Sequence, residues 1–327
     1  MGVVSFRLLA SAFFVIGLTT ASPAADLGLI TGGERGTYYQ FGLNMRDLAR
    51  NHGINMTIYP SKGSVENIYA VYQRPATQLG IVQADVLAFV GRLQTNPVLK
   101  RIAKKTRMVF PLYNEEIHIL ARNDITDFDD LAERRVAIGR EGSGTYLTAR
   151  LLFKVSEVVP GEMLLIDTDE ALRELKAGRI DAMFYVAGYP VKLFTEQVAE
   201  ADGLALLPIT NKSITEFYPA VEIPAGTYAW QASTVSTVAV KSVLVSFDFR
   251  RGHCESVGRL AKIVATNLEW LRANGHPKWK NADLDYPLKG WEQYDCVARI
   301  LGKPTAPIRN ASAVNPVLEA IKDVLGE

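Results

Sequence analysis

Apolar and polar residues alternate along this chain in a way that predicts short buried strands followed by amphipathic helices. The apolar run Leu27–Ile30 precedes a polar, glycine-rich segment, after which Phe41 and Met45 begin a helical stripe. Further strands are predicted at 54–60 and Leu79–Gln83, each with a helix behind it. Strands and helices that alternate in this way are typical of α/β proteins with parallel sheets.

The same order of elements recurs in the second half of the chain. A strand at Arg135–Gly139 is followed by a glycine-containing loop and a helix, and further strands are predicted at Met163–Asp167 and Asp181–Val186. The sequence therefore predicts two βαβαβ units, each with a glycine-containing turn after its first strand.

Two long extended stretches connect these units. Met108–Arg122 is long enough to leave one unit and enter the other, and Ser236–Phe247 is long enough to return. Two crossings predict a hinge. We therefore expect lobe 1 to comprise 25–116 together with 236–327, and lobe 2 to comprise 117–235.

The N-terminus has the features of an export signal. Arg7 precedes an apolar stretch from Leu8 to about Thr19, and small residues follow as far as Ala24. The stretch is shorter than the roughly 20 residues of a membrane-spanning helix. We expect 1–24 to be a signal peptide cleaved near Ala24 and the mature protein to be periplasmic; an N-terminal anchor helix is the alternative.

The segment after the second crossing has a helical pattern and both cysteines of the chain. Its apolar residues from Val257 to Leu271 fall on one stripe, which predicts a helix that Gly275 ends and that packs on lobe 1. An exported protein with an even cysteine count usually pairs them. We expect a disulfide between Cys254 and Cys296, with two buried free thiols as the alternative.

Charge and motif content argue against several function classes. The chain has 36 basic and 35 acidic residues, without the basic surplus that nucleic-acid binding requires. Its histidines lack metal-ligand spacing, and Glu141 replaces the first glycine of a G-x-S-x-G motif around Ser143. His118 lies in an apolar strand and is interpreted as a packed histidine. We expect no metal, no cofactor and no catalysis, although a triad of distant residues stays open.

Loops rich in glycine, serine and threonine stand at the ends of the predicted strands. Ligands of open parallel sheets bind at the carboxyl ends of strands, where helix N-termini expose unpaired N–H groups that favour anions. Taken singly, each loop is closer to an ordinary cap or turn than to a binding site. The three loops comprise Thr31, Gly32, Gly33, Gly36 and Thr37; Gly63 and Ser64; and Gly142, Ser143, Gly144 and Thr145.

Six ordered motifs together resemble the TAXI-family solute receptors of TRAP transporters. The resemblance covers nearly all of the mature chain. The motifs are TGGERGTYY at 31–39, Gly63–Asn67, Leu79–Asp85, Val136–Thr145, Ala177–Pro190 and Ile223–Tyr228.

The resemblance implies a type II periplasmic binding-protein fold, with two parallel-core sheets flanked by helices and a cleft between two lobes. It implies capture of a small carboxylate solute (a glutamate-like amino acid, a dicarboxylate or a keto acid) and delivery to a TRAP membrane permease by a monomer. A periplasmic sensor that signals to a kinase, or an enzyme on the same fold, are the alternatives.

The resemblance also implies a set of ligand-binding residues. Arg35 and Arg140 stand where smaller residues are expected, and each either contacts a ligand carboxylate or lies on the rim. The implied ligand-binding residues are Thr31, Gly36, Thr37, Tyr38, Tyr39, Ser64, Asn67, Gln83, Ser143, Gly144, Thr145, Gly188 and Tyr189.

Overall fold

The computed structural model describes residues 25–92, 97–249, 252–288 and 290–303. The predicted signal peptide, 1–24, lies outside the described residues, as does the part of predicted lobe 1 beyond residue 303.

Ten strands form within the described residues. Their bounds are β1 Ala25–Ile30, β2 Ile54–Tyr59, β3 Leu79–Gln83, β4 Thr106–Arg122, β5 Arg135–Ala137, β6 Glu162–Leu164, β7 Ala182–Ala187, β8 Leu204–Leu206, β9 Ala220–Ile223 and β10 Val235–Phe247.

Two groups of parallel strands are joined by two long strands. The order is β2-β1-β3-β10-β4-β7-β5-β6, with β8 on β4 and β9 on β10. Strand β1 runs parallel to β2 and β3, and β5 runs parallel to β6 and β7. Strands β4 and β10 pair antiparallel with each other. Strand β10 also pairs antiparallel with β3 of the first group and with β9, and β4 pairs antiparallel with β7 of the second group and with β8. The predicted α/β fold class and the two crossings at β4 and β10 are confirmed.

Eleven α-helices cover this sheet in the described part of the chain. None of them is long and apolar enough to cross a membrane. Their bounds are α1 Thr37–Arg50, α2 Ser64–Gln73, α3 Ala84–Arg92, α4 Pro97–Lys105, α5 Gly144–Ser156, α6 Thr168–Lys176, α7 Lys192–Gln197, α8 Lys212–Thr215, α9 Cys254–Thr266, α10 Leu268–Asn274 and α11 Asp295–Ile300.

Two predicted elements differ from the structure. The single helix expected up to Gly275 is wrong: it is broken at Asn267, whose backbone (φ −116, ψ 25) is not helical and whose amide donates to the Ile263 carbonyl at 2.8 Å. The strand expected at Met163–Asp167 stops at Leu164. Asp167 instead caps α6, because its carboxylate accepts a hydrogen bond from a backbone N–H of that helix at 2.8 Å.

The C-terminal helices pack on the first strand group, as the apolar stripe predicts. Leu260 and Val264 of α9 share a core with Leu29 of β1 and Met45 of α1. The disulfide Cys254–Cys296 is confirmed and links α9 to α11, with its Cα atoms 5.5 Å apart.

Candidate functional site

A cavity of about 320 Å³ lies where strands of both groups end and the chain turns into helices. The glycine-containing loops that follow β1, β2 and β5 line it, together with the end of β3. This is the edge at which open α/β sheets bind ligands. The structure thus brings the three loops of the sequence analysis to one place.

Eight of the thirteen implied ligand residues line the cavity, and five do not. The eight come from the first turn of α1, the start of α2, the end of β3 and the start of α5. They are Gly36, Thr37, Tyr38, Ser64, Gln83, Ser143, Gly144 and Thr145; the five outside the lining are Thr31, Tyr39, Asn67, Gly188 and Tyr189.

The starts of α1, α2 and α5 converge on this cavity. Gly36 precedes α1 and Gly63 precedes α2, and neither offers a side-chain cap. The first N–H groups of a helix have no partner within the helix and carry a partial positive charge. At α5, Ser143 caps its own helix by accepting from Tyr146 N at 3.0 Å. At α2, the Glu66 N–H donates to a carbonyl of the loop before α5 at 3.0 Å, so among the described residues the α1 start is the least occupied anion site.

Polar side chains from the first strand group form a connected floor. The Ser64 hydroxyl lies 3.3 Å from the Tyr38 hydroxyl and 3.3 Å from Gln83 Oε1, and it accepts from Gln83 N at 3.1 Å. All three side chains are buried. The floor thus presents hydroxyl and amide groups that are held in position by one another.

Thr31 and Asn67 support this floor from behind. The Asn67 amide donates to the carbonyls of Thr31 and Ile81, and its oxygen accepts from the Ser61 hydroxyl at 2.6 Å. The Thr31 hydroxyl donates to the Tyr59 carbonyl at 2.9 Å. The polar atoms of both side chains already have partners behind the floor, so neither side chain lines the cavity.

Gly188 and Tyr189 lie beside the cavity and hold the two strand groups together. The Thr37 hydroxyl donates to the Gly188 carbonyl at 2.5 Å. The Tyr189 ring lies 3.8 Å from the Lys278 ammonium, which forms a buried ion pair with Glu116 at 2.5 Å. These residues therefore position the loops rather than line the cavity.

The loops also touch across the cavity. A Cβ atom on Gly144 of α5 would lie 1.5 Å from Gln83 Oε1 and 2.8 Å from Ser64 Oγ, so only glycine allows this approach. Nearby, the buried Asp85 carboxylate of α3 accepts from Thr148 of α5 at 2.7 Å and from Tyr218 at 3.1 Å. The starts of α2 and α5 are thus in direct contact.

Glu115 is a cavity residue that the sequence analysis missed. It lines the cavity from β4, is 1% exposed, and none of the described residues gives its Oε1 a hydrogen-bond partner. A buried polar atom left without a partner costs about 1–3 kcal/mol, and more when it is charged. Two consecutive acids within an otherwise apolar strand were the signal that could have found it.

The surroundings of Glu115 disfavour its negative charge. Burial raises the pKa of the Glu115 carboxyl well above its usual value. The Tyr38 hydroxyl and the Gln83 amide lower this pKa, although Oε1 itself receives no hydrogen bond. The acids Asp85 and Glu116 raise it further.

Cationic side chains line the mouth of the cavity. Arg35 forms an ion pair with Asp169, whereas Lys62, Arg140 and Arg173 are exposed and form no ion pair with any described residue. Whether Arg35 or Arg140 contacts a ligand stays a prediction. The start of α6, which brings Asp169 here, is a fourth helix start that the sequence analysis did not assign to the cavity.

No histidine lines this cavity. His118 is fully buried, with Nδ1 3.0 Å from the Glu116 carbonyl and Nε2 3.0 Å from the Tyr228 hydroxyl, and burial lowers its pKa to about 4. It is the packed histidine that the apolar strand predicts. Among the described residues, no group of three or more histidine, cysteine or acidic side chains is arranged to hold a metal ion.

Solved structures share this architecture. The malate-bound protein MatC of Rhodopseudomonas palustris has a TM-score of 0.53 at 15% identity, over 93% of this chain and 98% of that one. A structure described as a periplasmic transporter has a TM-score of 0.51 at 13% identity, over 94% and 95%. A Bordetella bronchiseptica protein has a TM-score of 0.50 at 14% identity, over 92% and 89%. These similarities show the fold of type II periplasmic binding proteins.

A sequence-family comparison covers most of the chain. The model described as the NMT1-like family matches residues 29–289, which include every strand from β2 to β10 and every residue that lines the cavity. The chain belongs to the NMT1-like family.

Proposed function

We propose that this protein is an extracytoplasmic solute-binding protein that captures a small carboxylate in the cavity. The observation that carries the proposal is the meeting of the α1 and α2 N-termini, both without side-chain caps, with the unpaired cations of the cavity mouth. Each helix N-terminus stabilises an anion by typically 0.3–1 kcal/mol, and charge-assisted hydrogen bonds add to this. A glutamate-like amino acid, a dicarboxylate and a keto acid all fit this description.

The malate bound to MatC supports a carboxylate ligand, because that structure covers almost the whole of this chain. The predicted signal peptide supports a periplasmic location. The resemblance of the six motifs to TAXI receptors supports a TRAP-type permease as the membrane partner.

Capture would proceed by closure of two lobes, 25–116 with 236–327 and 117–235. The two long strands β4 and β10 cross between the strand groups and would absorb the rotation. A ligand that contacts Ser64 on one side and Thr145 on the other stabilises the closed form by its differential affinity for that form. The contact of Gly144 with Gln83 would then belong to the closed form.

Isothermal titration of the purified mature protein tests the proposal. The panel consists of amino acids, 2-keto acids and dicarboxylates, each beside its methyl ester, which removes the negative charge but keeps the carbon skeleton. We expect one free acid to bind and its ester not to bind, and mass spectrometry to recover the ligand unchanged. Binding of esters as tight as that of the acids, no binding of any acid, or conversion of the ligand would contradict the proposal.

The transport partner needs its own experiment. Liposomes that contain a TRAP-type permease should take up the solute only when the binding protein is added. Ligand-dependent stimulation of a sensor kinase, without uptake, would favour the sensor function instead.

A further inference from the structure

We propose that Glu115 receives the protonated amino group of the ligand, so that the solute is an amino acid rather than a nitrogen-free dicarboxylate or keto acid. The inference rests on the proposed function and narrows its ligand class.

The first argument is the unsatisfied state of a buried carboxyl at the cavity. Glu115 is 1% exposed, lines the cavity, and has Oε1 without a hydrogen-bond partner among the described residues. Buried polar atoms in folded proteins are almost always bonded, and the exceptions call for an explanation. A ligand that donates a hydrogen bond at this point would supply the missing partner.

The second argument is that no cation among the described residues forms an ion pair with this carboxyl. The buried Lys278 ammonium interacts with the charge of Glu115, but it is bonded to Glu116 at 2.5 Å and lies over the Tyr189 ring. The buried acids Asp85 and Glu116 both raise the pKa of Glu115 and offer it no positive charge. An ammonium group is therefore favoured at this position, and a ligand carboxylate is disfavoured.

The third argument is the separation of charge along the cavity. Lys62, Arg140 and Arg173 line it as exposed cations that form no ion pair with a described residue, whereas Glu115 lines it as a buried acid. The two acids among the cations are already bonded, one as the cap of α6 and the other as the partner of Arg35. A ligand whose carboxylate lies toward the cations and the helix starts places its opposite end near Glu115. A zwitterion matches both ends at once, whereas a keto acid or dicarboxylate matches only one.

The test compares ligands that differ only at the nitrogen. Each set has one carbon skeleton: glutamate, 2-hydroxyglutarate and 2-oxoglutarate; aspartate, malate and oxaloacetate; leucine and its 2-hydroxy and 2-oxo analogues. We expect the amino member of the binding set to have a dissociation constant at least about tenfold lower than its nitrogen-free analogues, as for a hydrogen bond between charged groups. This comparison uses the unmodified protein and does not depend on how any variant folds.

Glu115→Gln adds a second readout. It should weaken binding of the amino acid by about 10- to 100-fold and leave the affinity for its 2-oxo analogue within about threefold. The matched control is Glu222→Gln, which changes an exposed acid on β9 away from the cavity and should alter neither affinity.

The outcomes separate this inference from the proposed function. Binding of 2-oxoglutarate or malate as tightly as the amino member overturns the role of Glu115 while the carboxylate receptor stands; in that case a protonated Glu115 donates to the ligand. If Glu115→Gln weakens the binding of the amino acid and of its 2-oxo analogue by the same factor, the role of Glu115 is also overturned. Absence of binding by every acid overturns the proposed function and this inference together.

Discussion

Replacing Gly144 with alanine places a methyl group in the contact between α5 and the cavity floor. The new Cβ atom would lie 1.5 Å from Gln83 Oε1, 2.5 Å from Gln83 Cδ and 2.8 Å from Ser64 Oγ. Relief needs a separation of about 2 Å, since ordinary non-bonded contacts lie near 3.5 Å. The Gln83 side chain is 2% exposed and its oxygen accepts from Ser64, so it has little room to move.

Under the proposed closure, the strain would fall on the closed arrangement, in which α5 and the first strand group touch. Overpacking of this kind costs about 1–3 kcal/mol, which corresponds to roughly a 5- to 150-fold weaker affinity. We expect Gly144→Ala to raise the dissociation constant by that factor in isothermal titration. We also expect X-ray scattering to show a larger radius of gyration in the presence of ligand than for the unmodified protein.

Gly91→Ala is the matched control for this substitution. Gly91 lies in α3, is exposed, and its new Cβ atom would meet only Trp291, at 3.9 Å. We expect its affinity to be unchanged. Unchanged affinity of Gly144→Ala would refute the idea that ligand binding requires contact between the starts of α2 and α5.

Three further predictions concern stability in urea unfolding. Burial raises the pKa of Glu115 above its usual 4.5, so the folded state holds a proton that the unfolded chain releases above that pH, and the free energy of unfolding falls as pH rises. Glu115→Gln should therefore match the unmodified protein at pH 4 and exceed it at pH 8; equal stabilities at pH 8 would contradict the burial argument. Lys278→Met leaves Glu116 buried and unpaired and should cost about 3–5 kcal/mol. Reduction of the Cys254–Cys296 disulfide should cost about 4 kcal/mol, the loop-closure value for a sequence separation of 42.

Controls accompany the last two predictions. Lys280→Met changes an exposed lysine two residues away and should change the free energy of unfolding by less than about 0.5 kcal/mol. A similar small effect in Lys278→Met would mean that the Glu116 ion pair contributes little. A double Cys254→Ser and Cys296→Ser variant should not respond to reductant, whereas the unmodified protein should.

Local patterns of apolar and polar residues predict most of the fold, because the spacing of apolar residues follows the buried face of each strand or helix. The period-2 and period-3.6 patterns locate β3 at Leu79–Gln83 and both long crossings to within a few residues. Patterns failed where side chains compete with the backbone. Asn267 interrupts a helix that its apolar neighbours favour, because its side-chain amide bonds to a backbone carbonyl. Asp167 caps α6 and does not extend β6.

The residues of the candidate site likewise fall into some that the sequence locates correctly and others that it does not. Glycine and serine at strand ends are local signals, so the loops around Gly36, Ser64 and Gly144 were found from the sequence. Thr31 and Asn67 lie in the same segments, yet they support the floor from behind, because the partner of a polar side chain depends on residues far along the chain.

The sequence alone determined the α/β class, the two crossings and the three loops at strand ends, since local spacing and composition encode each of these. It favoured the pairing of the two cysteines, with free thiols as the alternative. The tertiary structure was needed for the cavity itself. Glu115 faces it beside Gln83 and Ser64, which are distant in the sequence, and the mutual approach of Gly144 and Gln83 depends on the packing of two strand groups. Glu115 points to the class of ligand because its carboxyl oxygen is buried without a hydrogen-bond partner among the described residues. That state arises only after distant segments of the chain have packed around Glu115 and excluded water.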